Sequence, residues 1–199
     1  SEKDKKITSV GFSKKEIKNH KGISGLKYYL IILYLRKHVQ TFGQIALTLN
    51  DLLQEIGYST KTNNKSIYSD FREIIKTEII NKGYASCNTD IFVVKPNDLF
   101  YLQLSYERNV FFTEDSFVQI TISEYEKICS LSSKINKSFL LGIYLYIKQY
   151  IMDYPGDIAP AKISFPSKSQ IAKGLDTSIS TVENGLSVLE SYKLIYIRR

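Results

Sequence analysis

The chain spells one order of elements twice: an apolar helix, a short strand, a short helix, a turn, an amphipathic helix and a strand. In the first half Ile67, Phe71, Ile74, Ile79 and Ile80 carry the last helix and the segment after it. Val182, Leu186, Leu189, Leu194 and Ile195 repeat them at the same relative spacing in the second half. Leu52 and Ile56 answer to Ile171 and Leu175, both pairs four residues apart, as one face of a helix requires. Leu47-x-Leu49 answers to Ile163-x-Phe165. The leading helices share their texture, Ile32-Leu33-Tyr34-Leu35-Arg36-Lys37 against Ile143-Tyr144-Leu145-Tyr146-Ile147-Lys148. Offsets between the halves shift only in the connections, where insertions are tolerated. The pattern predicts a tandem duplication of one small unit.

Between the repeats lies a strand-rich stretch. Ile91-Phe92-Val93-Val94, Leu99 to Leu104, Val110 to Thr113 and Phe117 to Ile122 are aromatic and β-branched, and Pro96-Asn97-Asp98, Glu107-Arg108-Asn109 and Glu114-Asp115 punctuate them. Ser123 with Glu126 has capping-box spacing and predicts a short connecting helix to about Ser132. Asn50 or Asp51 is placed to cap the helix of Leu52 and Ile56, and Gly57 to stop it. The first residues are dense in lysine and broken by Gly11, Gly22 and Gly25, which predicts a basic arm, with Ser13 and Glu16 spaced to cap a short helix. Leu194-Ile195-Tyr196-Ile197 reads as the start of a strand. The chain thus divides into an arm at 1–25, a first unit at 26–122, a connecting helix or linker at 123–136 and a second unit at 137–199.

The second copy carries a recognisable pattern. Ile163-Ser164-Phe165 leads to Ser167 and to Ile171-Ala172-Lys173-Gly174-Leu175. Ser178-Ile179-Ser180-Thr181-Val182 opens the last helix, which runs through Leu186 and Leu189 to Leu194-Ile195. This resembles a bacterial winged helix. The apolar members make a small core, Ala172 lets two helices cross closely, and Ser180 and Thr181 start a recognition helix with short polar groups. Two such units behind aromatic leading helices resemble the replication initiators of plasmids and mobile elements of Gram-positive bacteria. They are also similar to the N-terminal part of DnaD-type primosome proteins. The resemblance implies an α+β, mostly helical fold with two tandem winged helix-turn-helix domains. It implies sequence-specific binding of double-stranded DNA at repeated origin sites, with the chain itself as a dimer and host replication proteins as further partners. A transcriptional regulator, or a primosome-type module that recruits a helicase loader, is the alternative. The sequence stops at Arg198-Arg199 before a wing hairpin has room to return, which leaves open a further domain.

Charge agrees with such a partner: Lys and Arg outnumber Asp and Glu, for a formal net charge of +7. The outward residues of the first recognition helix and its approach are Lys61, Asn63, Asn64, Lys65, Ser66, Tyr68, Ser69 and Arg72. Those of the second are Ser178, Ser180, Thr181 and Asn184, with Lys168, Ser169 and Lys173 on the preceding helix and Arg198 and Arg199 at the wing base. Asn suits adenine, Arg and Lys suit guanine or phosphate, and hydroxyls suit either. Catalysis is not expected. No GxGxxG or GxxxxGK[ST] occurs, and His20 and His38 lack the paired spacing of metal-dependent nickases. Cys87 and Cys129 form no CxxC, so neither a metal nor another cofactor is expected. No apolar run approaches the roughly 20 residues of a membrane span, and a charged start without an apolar core is no signal peptide. The cytoplasm is the expected location.

Overall fold

The computed structural model describes residues 9–61, 65–105, 117–154, 161–164 and 166–197. The architecture is α+β and mostly helical, with small antiparallel sheets. Strand β1 (Ser9–Ser13) leads into helices α1 (Lys14–Asn19) and α2 (Gly22–Gly25). The segment expected as a basic arm is therefore part of the body from residue 9 onward. Val10, Phe12 and Ile17 are buried, and the Phe12 ring meets Tyr28 and Tyr29 edge-on. The alternation of Val10 and Phe12 is a strand signal that the surrounding lysines obscure. Ser13 and Glu16 form the capping box that their spacing predicts.

The first repeat comes next. Helix α3 (Lys27–His38) is buried from Lys27 to Leu35 and places Arg36, Lys37 and His38 in its last turn, where the helix dipole favours cations. Strand β2 (Gln44–Leu47) turns Ile45 and Leu47 inward. Helix α4 (Leu49–Glu55) is capped by Thr48, whose hydroxyl accepts from the Asp51 N–H at 3.0 Å, so the cap lies before the expected Asn50 or Asp51. Helix α5 (Lys65–Ile74) continues as a π-helical turn over Ile75–Ile80. The wider turn keeps Ile75 and Ile79 inward beside Phe71 and Ile74. Strands β3 (Ala85–Cys87) and β4 (Phe100–Leu104) complete a three-stranded sheet of order β2-β4-β3, with Leu47 opposite Phe100 and Ala85 opposite Leu104. Between β3 and β4, Ile91–Val93 forms a 3₁₀ turn rather than the expected strand. Asp90 caps it through the Phe92 N–H, and such a local cap competes with a ladder. The expected strand at Val110 to Thr113 lies outside the described residues.

Strand β5 (Phe117–Thr121) returns to pair with β1, Val10 opposite Ile120. Helix α6 (Ile122–Ser130) is capped by Thr121 and Glu124, two residues before the expected Ser123 and Glu126. The connecting segment is no loose linker: Tyr125 and Ile128 are fully buried.

The second repeat has helix α7 (Lys137–Gln149), a hairpin of β6 (Met152–Tyr154) and β7 (Ala161–Ile163), then helices α8 (Lys168–Leu175) and α9 (Ile179–Ser191). The short strand therefore ends at Ile163 instead of starting there. Among the described residues, 194–197 are not in a strand. Three glycines let the helices approach. A Cβ on Gly142 would lie 3.0 Å from Leu26, and Cβ atoms on Gly174 and Gly185 would overlap Tyr146 and Ile143. Ala172 is buried as well.

Both repeats end their helices alike. After α4 the Tyr58 N–H bonds the Leu53 carbonyl at 2.9 Å around left-handed Gly57. After α8 the Thr177 N–H bonds Ala172 at 3.0 Å around left-handed Asp176. After the last helix the Tyr84 N–H bonds Ile79 at 3.0 Å around Gly83, and the Leu194 N–H bonds Leu189 at 2.9 Å around Lys193. These are paired Schellman endings. The two repeats share one hydrophobic core, with α3 against α7, rather than owning separate ones.

Candidate nucleic-acid interface

In the first repeat the sequence-predicted site residues centre on the exposed stripe of α5. Helical geometry turns Phe71, Ile74 and Ile75 into the core and leaves Lys65, Ser66, Ser69 and Glu73 in solvent. Lys61 is exposed on the approach, its N–H bonded to the Ser59 hydroxyl at 3.3 Å. Asn63 and Asn64 lie outside the described residues. Tyr68 is buried rather than outward, and its hydroxyl donates to Asn50 Oδ1 at 2.5 Å. Arg72 is half-buried and committed: Nε and Nη2 donate to the Val94 carbonyl at 3.0 and 2.8 Å. Its guanidinium also sits 6.0 Å from the Tyr68 ring centroid. Arg72 thus fastens α5 to the β3–β4 loop.

That loop is the element that periodicity hides, because Ile91-Phe92-Val93-Val94 has the composition of a strand. The Asn50 N–H donates to the Pro96 carbonyl at 3.0 Å, Asn50 also bonds Asn97, and the Asp98 carboxylate accepts from the Lys95 N–H at 2.9 Å. Ile91 and Val94 are buried, while Phe92 and Val93 point out. The punctuation of Asp90, two residues before Phe92, and of Pro96-Asn97-Asp98 is the signal that marks a built turn here. On the opposite flank of α5, Asp70 accepts from Lys27 Nζ at 2.5 Å and from the Ser24 hydroxyl at 3.3 Å.

In the second repeat Ser178 caps α9, its hydroxyl accepting from the Thr181 N–H at 3.1 Å and lying 2.9 Å from the Thr181 hydroxyl. Ser180 and Asn184 are exposed, and Thr181 is half-buried. Lys168, Ser169 and Lys173 are exposed on α8, where Ser167 and Gln170 form the capping box. Lys168 Nζ lies 3.0 Å from the Glu183 carboxylate, so this charge on α8 is offset by an acid on α9. Arg198 and Arg199 lie outside the described residues.

Glu55 and Glu124 sit where the repeats meet α6. Glu55 accepts from Tyr125 at 2.6 Å, approaches His38 at 2.6 Å and pairs with Lys37 at 3.0 Å. Burial works against its ionised form, yet hydrogen bonds from Tyr125, His38 and Lys37 hold its carboxyl below the usual value. Glu124 is held low in the same way: burial opposes ionisation, and bonds from Tyr144, the Thr121 N–H and Lys148 outweigh it. No group of His, Cys, Asp and Glu placed to hold a metal occurs among the described residues. Among them, too, no helix is long and apolar enough to cross a membrane.

The chain matches no protein-family model, no curated protein and no solved structure.

Proposed function

We propose that the chain is a tandem winged helix-turn-helix protein of the cytoplasm that binds double-stranded DNA sequence-specifically, without catalysis or a cofactor. The observation that carries this reading is the arrangement of the first repeat. Two consecutive helices, α4 and α5, follow strand β2 of an antiparallel sheet of order β2-β4-β3, and the β3–β4 loop is fastened to the side of α5. An exposed stripe with Lys61 and Lys65 at its start suits a duplex. The recurrence of a leading helix, short strand and two helices in the second repeat supports a second such unit. Within this reading the chain is a plasmid or mobile-element replication initiator, and the two units take repeated sites. The chain itself as a dimer and host replication proteins are further partners.

The test is binding to duplex DNA as a function of salt. Each phosphate neutralised contributes about 0.9 to the logarithmic slope, so replacing Lys61 and Lys65 by Ala flattens the slope by up to about two units. An unchanged slope removes the first unit from the interface. Selection from a random-sequence pool then separates initiator from regulator: tandem repeats mark the first, a palindrome the second.

One observation favours a second reading for the second unit alone. Helix α9 has no Lys or Arg, and its Glu183 occupies Lys168. This suits a primosome-type protein contact, and a second unit whose surface substitutions leave DNA binding unchanged bears it out.

A further inference from the structure

The β3–β4 loop of the first repeat presents an aromatic and a β-branched side chain to solvent at its tip. Phe92 is 51% and Val93 66% exposed, and Leu99 and Tyr101 are exposed at the same end of the sheet. Exposed apolar side chains on a loose loop have little meaning, but this loop is built. Ile91 and Val94 anchor the turn in the core, Asp90 caps it, Arg72 holds the Val94 carbonyl with two donors, and Asn50 holds Pro96. The sequence therefore spends its polar groups on fixing a turn whose outer corner is apolar.

Position and charge together say what that corner meets. The bond from Arg72 to Val94 sets the tip along one edge of the exposed stripe of α5, so a duplex seated on α5 reaches Phe92 and Val93. The loop carries Asp90 and Asp98 against Lys95, and both acids accept backbone N–H groups within the loop. Such a tip gains nothing from phosphates. The lysines that attract the backbone, Lys61 and Lys65, lie on α5 and its approach instead. Apolar side chains that proteins bring to a groove act as wedges between base steps, unstacking them and kinking the duplex. We propose that Phe92 and Val93 form such a wedge, inserted at a deformable step of the bound duplex, so that the first unit distorts its site as it binds. This rests on the DNA-binding reading above. A protein surface, or a second copy of the chain, is the competing occupant.

The experiment uses the full chain and the duplexes that it selects from a random pool, each carrying 2-aminopurine at its pyrimidine–purine steps, which unstack most easily. The natural chain is expected to raise the fluorescence of one such step on binding. Phe92→Ala is expected to lose most of that rise while keeping the salt slope, and Phe92→Leu to retain part of it, since Leu also serves as a wedge. Half of Phe92 is already in water and Ile91 and Val94 are untouched, so an unchanged thermal midpoint checks that the variants fold. Binding without any fluorescence rise, or a rise that Phe92→Ala leaves intact, overturns the wedge and leaves DNA binding standing. Failure to select any duplex overturns both. A change in sedimentation of the free protein on Phe92→Ala, with the rise intact, assigns the tip to self-association instead.

Discussion

Lys193 holds a left-handed backbone, φ 59°, where the first repeat has Gly83 at φ 75°. Asp176, φ 52°, stands in the same way where the first repeat has Gly57 at φ 83°. A Cβ in this region costs roughly 1–2 kcal/mol for an ordinary residue and less for Asp. Glycine returns part of that gain through its freer unfolded chain, by roughly 0.5–1 kcal/mol. Lys193→Gly is therefore expected to stabilise the protein by about 0.5–1 kcal/mol and Asp176→Gly by less, read as a higher urea midpoint at unchanged slope. A lower midpoint for Lys193→Gly means that its side chain makes a contact worth more than the strain. Gly57 is legible in the sequence as a helix stop. Lys193 is not, because lysine announces no left-handed turn. Glu55 supplies a second residue-scale expectation. Its folded carboxyl titrates below the ordinary value of 4.5. A depressed folded value means stability that is complete above the unfolded value and lost as pH falls through the folded one. Unfolding monitored from pH about 5 downward is thus expected to show acid lability. Glu55→Gln should lessen that lability while lowering stability at neutral pH. Equal acid sensitivity in the variant moves the effect to Glu124 or elsewhere.

At the scale of elements, α5 and α9 look alike in pattern and differ in what holds them. The spacing of Ile67, Phe71 and Ile74 against Val182, Leu186 and Leu189 made both helices legible, because burial follows the 3.6-residue period. Two things escaped. The π-helical turn at Ile75–Ile80 needs the sheet packed beneath it, Tyr68 bonds α4, and Arg72 bonds the β3–β4 loop. Their partners, Asn50 and Val94, are far off in sequence, so no local pattern reveals them. Arg72 carries a charged group to a neutral carbonyl, a bond worth about 1.5–3 kcal/mol. Arg72→Ala is accordingly expected to destabilise by about that much and to speed amide exchange over 90–98, while β2 keeps its protection. Uniform acceleration instead means global unfolding and no special fastening of the loop. On α9 the pair of Lys168 and Glu183 is exposed, and such pairs contribute little to stability. It matters for a ligand: on the proposed reading, Glu183→Gln frees Lys168 for a phosphate and steepens the salt slope by about 0.9. No change in slope counts against contact between α8 and DNA.

For the whole molecule, the duplication predicts two units joined by a connecting helix or linker, and the fold has that helix, α6, and one hydrophobic core that both repeats share. Leu26 packs on Gly142, the Tyr58 hydroxyl donates to Ser138 at 3.0 Å, and Tyr125 in the connecting helix donates to Glu55 in the first repeat. The near-continuous apolar runs of α3 and α7 held the clue, since a helix buried on most sides needs more cover than one small unit supplies. Pattern alone does not say that each helix covers the other. Sharing a core has a consequence for DNA. Units on a flexible tether tolerate varied spacing between their sites, with only a slow loss of effective concentration. Units fixed through α3, α6 and α7 do not. If both repeats bind, inserting about five base pairs between their sites turns one site to the opposite side of the duplex and reduces affinity to that of one unit. A full turn restores the facing but adds about 34 Å, which the packed core does not span. Both insertions are therefore expected to fail alike in a binding titration, with a footprint over one site only. Recovery at a full turn means that the repeats separate on DNA. Indifference to both insertions means that one repeat alone makes the contact.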